Sequence, residues 1–586
     1  MEKNKKGYIG IAQINPTTGD IEHNSLKIKN FIEQAQKMNL DLVVFPELCI
    51  VGHPLLDITD RYPFILEESM KWLEELAKIT KSTTAVVGFA EPAGGAKYHS
   101  SVAIMANGKI QKIIRKISPK QTPLFNDIKY FEPAQTKEEN IIEINEIKYS
   151  ICIGEDINTN LPQKTDIIIN CNALSSQSDN DFSQIATKYN TPIITVNQVG
   201  TTDNITFEGS SKVFDKNGKL IARAKSFEEQ LLVVNPLQEI GEIYPETHNT
   251  NIHHESFSLD YEFDMERTYK TIIQGIKDYF NKNGLKRAVL GLSGGLDSTV
   301  CAVLLTDALG AENVYGVSMP SKITSNESKS DAEQLANNLD INYTQTPIID
   351  MFETTNNCFQ KLFTTVEKNW KDRYQKSFTP DNIQARSRAM ILWGISNEFP
   401  STIPIATSDK SEAYMGYATI NGDMSGGFAP IADITKTKLF ALARWLNKNR
   451  PTKNAIPESI ILKRPGAELA IDPKTGKPLI AEDALMPYEF LDEAIWRIEN
   501  KKENYKDMIN SKFLYETTHQ VSKEQKKEWL DKFYKRMAGA LYKKSIMPPY
   551  VIVDTTSPCT IPISSKINYK GHSTEEIQNI IKTNLN

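Results

Sequence analysis

The string LGLSGGLDS at residues 290–298 constrains this chain more than any other feature, because it joins an apolar run directly to a helical pattern. A strand that turns on adjacent glycines straight into a helix is a βα unit. Successive units of that kind give a parallel sheet with ligands at the carboxyl ends of its strands. Gly294 and Gly295 let the backbone approach a polyphosphate closely, and Ser293 and Ser298 add hydroxyl donors. The following helix directs unpaired N–H groups and its positive dipole end at the anion. Asp297 would repel a phosphate, so it makes sense as a magnesium ligand. The bland alternative, an ordinary glycine-rich turn, fits the complete SGGxDS string poorly. The string is neither GxxxxGKS nor GxGxxG.

The same βα rhythm extends on both sides. Periodicity predicts a helix over 265–281, a strand over 288–292, a helix over 297–309, a strand over 314–318 and a helix over 328–339. Residues 1–235 alternate in a similar way. Strands are expected at 8–14, 42–45, 85–89, 101–105, 150–153, 166–170 and 192–197, with helices at 24–38 and 65–80. The fold class is therefore α/β. The stretch 236–263 is polar, contains proline and lacks sustained periodicity. It reads as a linker between a domain at 1–235 and a domain at 264–586 with a helical C-terminal extension.

With 40% hydrophobic residues among 586, the chain has ample material for packed cores. A net charge of −5 argues against a nucleic-acid coat or a polybasic membrane binder. The six cysteines form no CxxC pair, so neither a disulfide framework nor a zinc site is expected. No stretch approaches the run of about 18 apolar residues that a membrane span needs. A cytoplasmic location is expected, with no nucleic-acid or membrane partner.

Further strings sharpen the reading. MPSKITSNES at 319–328, DNIQARSR at 381–388, ATSDKSE at 406–412, GYATINGDM at 416–424, IPES at 456–459 and YKK at 542–544 before Pro548 and Pro549 follow one another in a fixed order. Together with SGGxDS they resemble the NAD synthetases, whose Rossmann-like ATP-pyrophosphatase domain has a parallel sheet. The resemblance implies ATP-dependent amidation of deamido-NAD, through an adenylated intermediate, with release of AMP and pyrophosphate. It implies ATP contacts from Gly291, Leu292, Ser293, Gly294, Gly295, Leu296, Asp297, Ser298 and Thr407, and magnesium on Asp297 and Glu412. Lys436 would neutralise phosphate charge as a catalytic cation, and Asn382, Glu412, Asp423 and Lys543 would border deamido-NAD. One departure is PGAEL at 465–469, where the family usually has Ser or Thr in second place. The resemblance also implies a homo-oligomer.

The N-terminal strings VVFPEL at 43–48, Arg115-Lys116, PLFND at 123–127, YFEP at 130–133, VNQVG at 196–200 and FEGSS at 207–211 resemble the nitrilase superfamily. Such domains are α-β-β-α sandwiches, fused in many NAD synthetases as glutaminases that supply ammonia. Glu47 matches the family's base and Lys116 its oxyanion lysine. A buried Glu–Lys pair is also a plausible purely structural feature. The cysteine nucleophile is missing: the matching string is Gly154-Glu155-Asp156, and glycine offers no side chain for covalent attack. Cys152 lies two residues back, about 6.5 Å by strand rise, and reads as an inert core thiol. The family's Ser-Pro-Tyr is here LSS at 174–176.

Ammonia is therefore the expected nitrogen donor. The alternatives are a glutamine-hydrolysing enzyme that uses Cys152, or an ATP pyrophosphatase that amidates or thiolates another nucleotide or a tRNA. A non-catalytic scaffold is the reading from a different class, and the joint presence of SGGxDS, Glu412 and Lys436 speaks against it.

Overall fold

The computed structural model describes residues 7–56, 58–94, 97–119, 126–134, 140–159, 165–175, 181–245, 257–261, 265–367, 377–451, 453–466 and 480–553. Residues 123–125, Ser176, residues 467–469 and Cys559, all part of the sequence reading, lie outside the described residues. The chain divides into two compact units, 1–250 and 251–586.

The first unit holds two six-stranded sheets. The first contains β1 (Ile9–Gln13), β2 (Leu42–Val44), β3 (Thr84–Gly94), β4 (Lys97–Ala106) and β5 (Lys109–Arg115). The second contains β6 (Ile141–Ile144), β7 (Ile147–Ile153), β8 (Ile167–Cys171) and β9 (Ile193–Val196). After the hairpin β10 (Val199–Thr202) and β11 (Ile205–Glu208) come β12 (Lys212–Phe214), β13 (Leu220–Arg223) and β14 (Gln230–Val234). The sheet orders are β14-β1-β2-β3-β4-β5 and β13-β12-β9-β8-β7-β6. In each, three central parallel strands are flanked by antiparallel ones.

Strand periodicity explains the layers. Leu42 and Val44 join Ile151, Ile153, Ile167 and Ile169 in a core between the sheets. Val43, pointing the other way, packs with Ile28 and Ile32 of α1 (Ile21–Lys37) and Leu73 and Leu76 of α2 (Phe64–Ile79). On the outer face of the second sheet, Cys152 and Ile168 pack on Phe182 and Ala186 of α3 (Phe182–Tyr189). The result is an α-β-β-α sandwich whose central strands are buried on both faces and hence apolar almost throughout.

All seven strands read from the first 235 residues are present. Those not read are mostly edge or hairpin strands. In β5 the outward Lys109, Gln111 and Arg115 mask the apolar alternation. The stretch read as a linker from residue 236 begins inside this unit: Pro236–Gln238 form a single 3-10 turn, Asn235 bridges Ile240, and Ile243 bridges Arg223. These backbone pairings supply the order that the polar composition hid.

In the second unit β15 (Arg287–Gly291), β16 (Val314–Ser318), β17 (Asn342–Gln345) and β18 (Thr402–Pro404) form a parallel sheet of order β17-β16-β15-β18. It carries α4 (Met265–Lys282), α5 (Leu296–Leu309), α6 (Asn326–Leu339) and α7 (Thr379–Glu398). Residues 300–305 of α5 are buried on every side, which is why that helix reads as apolar all round. A second, helical core holds Phe490, Phe513, Leu530 and Phe533. Among the described residues no helix is long and apolar enough to cross a membrane.

Candidate functional site

The loop between β15 and α5 has the shape its sequence demands. Gly294 sits at φ +75°, and a Cβ there would lie 2.2 Å from the Ser328 carbonyl oxygen in the first turn of α6. Only glycine fits, because positive φ and backbone contact both exclude a side chain. The serine hydroxyls hold the turn: Ser293 Oγ lies 3.1 Å from Ser298 Oγ and accepts the Gly295 N–H at 3.2 Å. The Ser298 hydroxyl also donates to the Gly295 carbonyl at 3.2 Å. Gly295 caps α5, whose first-turn N–H groups face the loop with no side-chain cap bonded to them. A polyphosphate satisfies such groups.

Beside the loop, one ammonium gathers three carboxylates. Lys436 Nζ lies 2.7 Å from Asp297 Oδ1, 2.8 Å from Asp409 Oδ2 and 3.2 Å from Glu412 Oε1. Asp409 caps the short helix α8 (Lys410–Met415), accepting the Glu412 N–H at 2.8 Å. Lys436 opens α9 (Lys436–Asn449) and its side chain is wholly buried, so in this structure its charge is committed to carboxylates. Burial lowers the Lys436 pKa, but Asp297, Asp409 and Glu412 outweigh it and hold the ammonium well above its ordinary value. Burial drives Asp409 up to about 6, with Asp297 adding to the push and Lys436 opposing it. It pushes Glu412 up as well, with Asp409 and Asp297 adding like charge.

Three carboxylates on one cation leave a surplus of negative charge. Asp297 and Glu412, the two partly accessible members, are hard oxygen donors of the kind magnesium takes alongside substrate phosphates and water. Among the described residues no cluster of three or more acidic, histidine or cysteine side chains forms a complete metal cage.

The residues expected around deamido-NAD converge on residues 416–424. The Thr419 hydroxyl donates to Asn382 Oδ1 at 2.9 Å, and the Thr419 N–H to Asp423 Oδ1 at 2.6 Å. Lys543 Nζ donates to the Gly416 and Ala418 carbonyls at 2.8 and 2.6 Å. Burial and nearby Arg536 push the Lys543 pKa down, against the pull of Asp423. Thr407, half-buried, lies in the segment after β18.

In the first unit Glu47 and Lys116 are buried together, with Lys116 Nζ at 2.9 and 3.2 Å from the two Glu47 oxygens. The Ser100 hydroxyl donates to Glu47 Oε1 at 2.6 Å. Glu155 and Asp127 also face Lys116, at 3.4 and 3.9 Å. Burial opposes the Lys116 charge, yet these carboxylates, Glu47 foremost, hold its pKa above the ordinary lysine value.

Gly154 sits at φ +54° at the end of β7, and a Cβ there would lie 2.8 Å from Lys116 Nζ and 3.1 Å from Glu47 Oε2. Position 154 thus faces the Glu–Lys pair. Cys152 does not. It is 3% exposed, belongs to the apolar cluster under α3, and its thiol donates to the Ile169 carbonyl at 3.3 Å. Burial, then Cys171 and Asp156, push its pKa well above the ordinary thiol value, which disfavours the thiolate that a nucleophile needs.

Sequence reading missed several supporting residues. Asp409 and Ser411 stood inside the quoted ATSDKSE string, so a signal was present. Asp492 gave none. It accepts from Ser411 Oγ at 2.5 Å, from the Thr437 N–H at 2.8 Å and from Thr437 Oγ1 at 2.7 Å, while Ser411 Oγ accepts the Lys436 N–H at 2.9 Å. Lys463, whose ammonium donates to Ser328 Oγ behind the loop, was also missed.

Family comparisons agree with both halves. A carbon–nitrogen hydrolase family model matches residues 8–243, and an NAD synthase family model matches residues 268–537. The glutamine-dependent NAD(+) synthetase of Thermotoga maritima is 34% identical over 529 residues, covering 84% of this chain and 88% of the relative. Its counterpart in Synechocystis is 33% identical over 536 residues, covering 86% and 90%. The solved glutamine-dependent NAD+ synthetase of Acinetobacter baumannii in complex with ADP superposes with a TM-score of 0.68 at 25% identity, over 95% of this chain and 98% of that one. The enzyme from Cytophaga hutchinsonii, 20% identical, shares the fold with a TM-score of 0.76 over 95% and 97%. With an α-β-β-α unit joined to a parallel-sheet unit carrying SGGxDS, and relatives matched along most of their length, this chain belongs to the two-domain glutamine-dependent NAD(+) synthetase family and is an enzyme that forms NAD.

Proposed function

We propose that this enzyme amidates deamido-NAD with ammonia rather than with nitrogen taken from glutamine. The observation that carries the reading is Gly154, which leaves Glu47 and Lys116 facing a position with no side chain. A carboxylate and an ammonium can polarise a bound amide. They cannot replace the covalent acyl-enzyme step that divides amide hydrolysis into two lower barriers. Cys152, on the far side of the strand end and packed beneath α3, is no substitute. The relatives' names describe the relatives.

The synthetic half has the parts the reaction needs. A carboxylate is a poor electrophile, so the nicotinate carboxyl of deamido-NAD is first adenylated by ATP with loss of pyrophosphate, and ammonia then displaces AMP. The 291–298 loop and the N-terminus of α5 receive the phosphates, with Thr407 nearby. Asn382, Glu412, Asp423 and Lys543 shape the deamido-NAD side around residues 416–424. Magnesium, when bound, offsets charge on the departing pyrophosphate, and Asp297 and Glu412 would hold it. Lys436 fixes those two carboxylates relative to one another. Catalysis is mainly positioning and charge neutralisation.

The test compares ammonium and glutamine as sole nitrogen source, with ATP, magnesium and deamido-NAD. NAD and AMP are expected with ammonium, and little NAD and no matching glutamate with glutamine. Release of glutamate at a rate comparable to NAD formation overturns the ammonia reading.

A further inference from the structure

Helix α10 (Tyr488–Trp496) continues through a π-helical turn, Arg497–Lys501. Such turns interrupt the regular ladder and often lie near functional sites. Here the turn carries Glu499, 8% exposed. Its Oε2 lies 2.7 Å from Lys410 Nζ, and its Oε1 accepts the Tyr414 hydroxyl. Lys410 is itself 1% exposed. It also pairs with Asp433 Oδ1 at 3.1 Å, and its N–H donates to the Ile434 carbonyl at 2.9 Å.

Seven residues before Glu499, Asp492 accepts from Ser411 and Thr437. Seven residues are close to two helical turns, so both carboxylates leave one face of this helix. That face grips Lys410, Ser411 and Tyr414 of α8 together with Thr437 of α9. Helix α8 carries Glu412, and α9 begins with Lys436, 3.2 Å from Glu412.

We propose that Glu499 is a positioning residue for NAD formation: through Lys410 and Tyr414 it fixes α8 against α9 and so sets where Glu412 presents its carboxylate. Stability alone does not account for the arrangement, since the desolvation of a buried ion pair offsets most of its attraction and apolar residues of equal volume serve as well. What the charges add is direction. Lys410 reaches carboxylates from two different segments, and each contact constrains one edge of α8. The inference rests on the reading of Glu412 as a residue of the magnesium and phosphate side.

Two variants of the full-length protein test it, Glu499→Gln and Tyr414→Phe. Each is assayed with saturating ammonium for kcat, for KM of deamido-NAD and for the magnesium concentration at half-saturation. Thermal unfolding reports the folded fraction. Residues that orient a metal ligand typically change affinity or activity by about tenfold or more. Glu499→Gln is therefore expected to lower kcat and raise half-saturating magnesium by about that factor. Tyr414→Phe moves the same two quantities less. Parental kcat and magnesium dependence in a folded Glu499→Gln protein overturn the proposal, as does a loss that only follows the folded fraction. If Glu499→Gln fails to fold, Tyr414→Phe decides by the same criteria. A parent protein that makes no NAD from ammonium overturns the underlying reading, and the proposal with it.

Discussion

Asp297 is the single residue on which two demands meet. It stands in the first turn of α5, where we propose that phosphates dock, and its carboxylate is held 2.7 Å from Lys436 while staying partly accessible. Asp297→Asn keeps the shape and removes the charge, so one metal-side ligand is lost where phosphate repulsion must be offset. We expect NAD formation to fall by more than tenfold, corresponding to at least about 1.4 kcal/mol of transition-state stabilisation. Steady-state assays with ammonium read this directly. A variant with more than a tenth of the parental rate removes Asp297 from the metal side. Asp297 stood out in the sequence because it sits inside the SGGxDS string. Asp492 did not, because its partners Ser411 and Thr437 lie 81 and 55 residues away in sequence.

At the scale of elements, the start of α9 decides what Lys436 does. Its sequence position suggested a cation facing phosphate. Burial of α9 against α5 and α10 puts the ammonium among three carboxylates, from α5, from α8 and from the residue that caps α8. Lys436→Met leaves those carboxylates without their cation, and removing one partner from a buried ionic group costs about 3–5 kcal/mol. Denaturant unfolding followed by fluorescence is expected to show that loss alongside lost activity. Unchanged stability with activity abolished would instead assign Lys436 to the phosphates alone. Elements built on local periodicity, such as α4 and α6, were readable. The three-residue strand β18 was not, since its pairing with β15 is a tertiary fact.

Across the whole molecule, the amidase-type unit keeps its sandwich and its Glu–Lys pair but lacks a nucleophile at position 154. Restoring one is not expected to restore function. A Cβ at position 154 would press on Lys116 Nζ, which Glu47, Glu155 and Asp127 hold in place. The left-handed backbone there adds about 1–3 kcal/mol of strain for a residue other than glycine. Gly154→Cys is therefore expected to support NAD formation from glutamine at less than about a tenth of the ammonium rate. Equal rates with the two donors would show that a thiol was the only missing part.

The sequence by itself determined the α/β class, the order of the βα units, the glycine-rich SGGxDS turn and the glycine at position 154. All of these are written in local periodicity or in short strings whose chemistry admits few substitutes. Only the tertiary structure decided that Lys436 is buried among Asp297, Asp409 and Glu412, that Cys152 faces α3 rather than Glu47, and that Asp492 and Glu499 hold α8 from one helix face. These facts depend on which distant segments share a low-dielectric interior. Burial and pairing set the charge and aim of a side chain there, and neither can be read from a residue's neighbours along the chain.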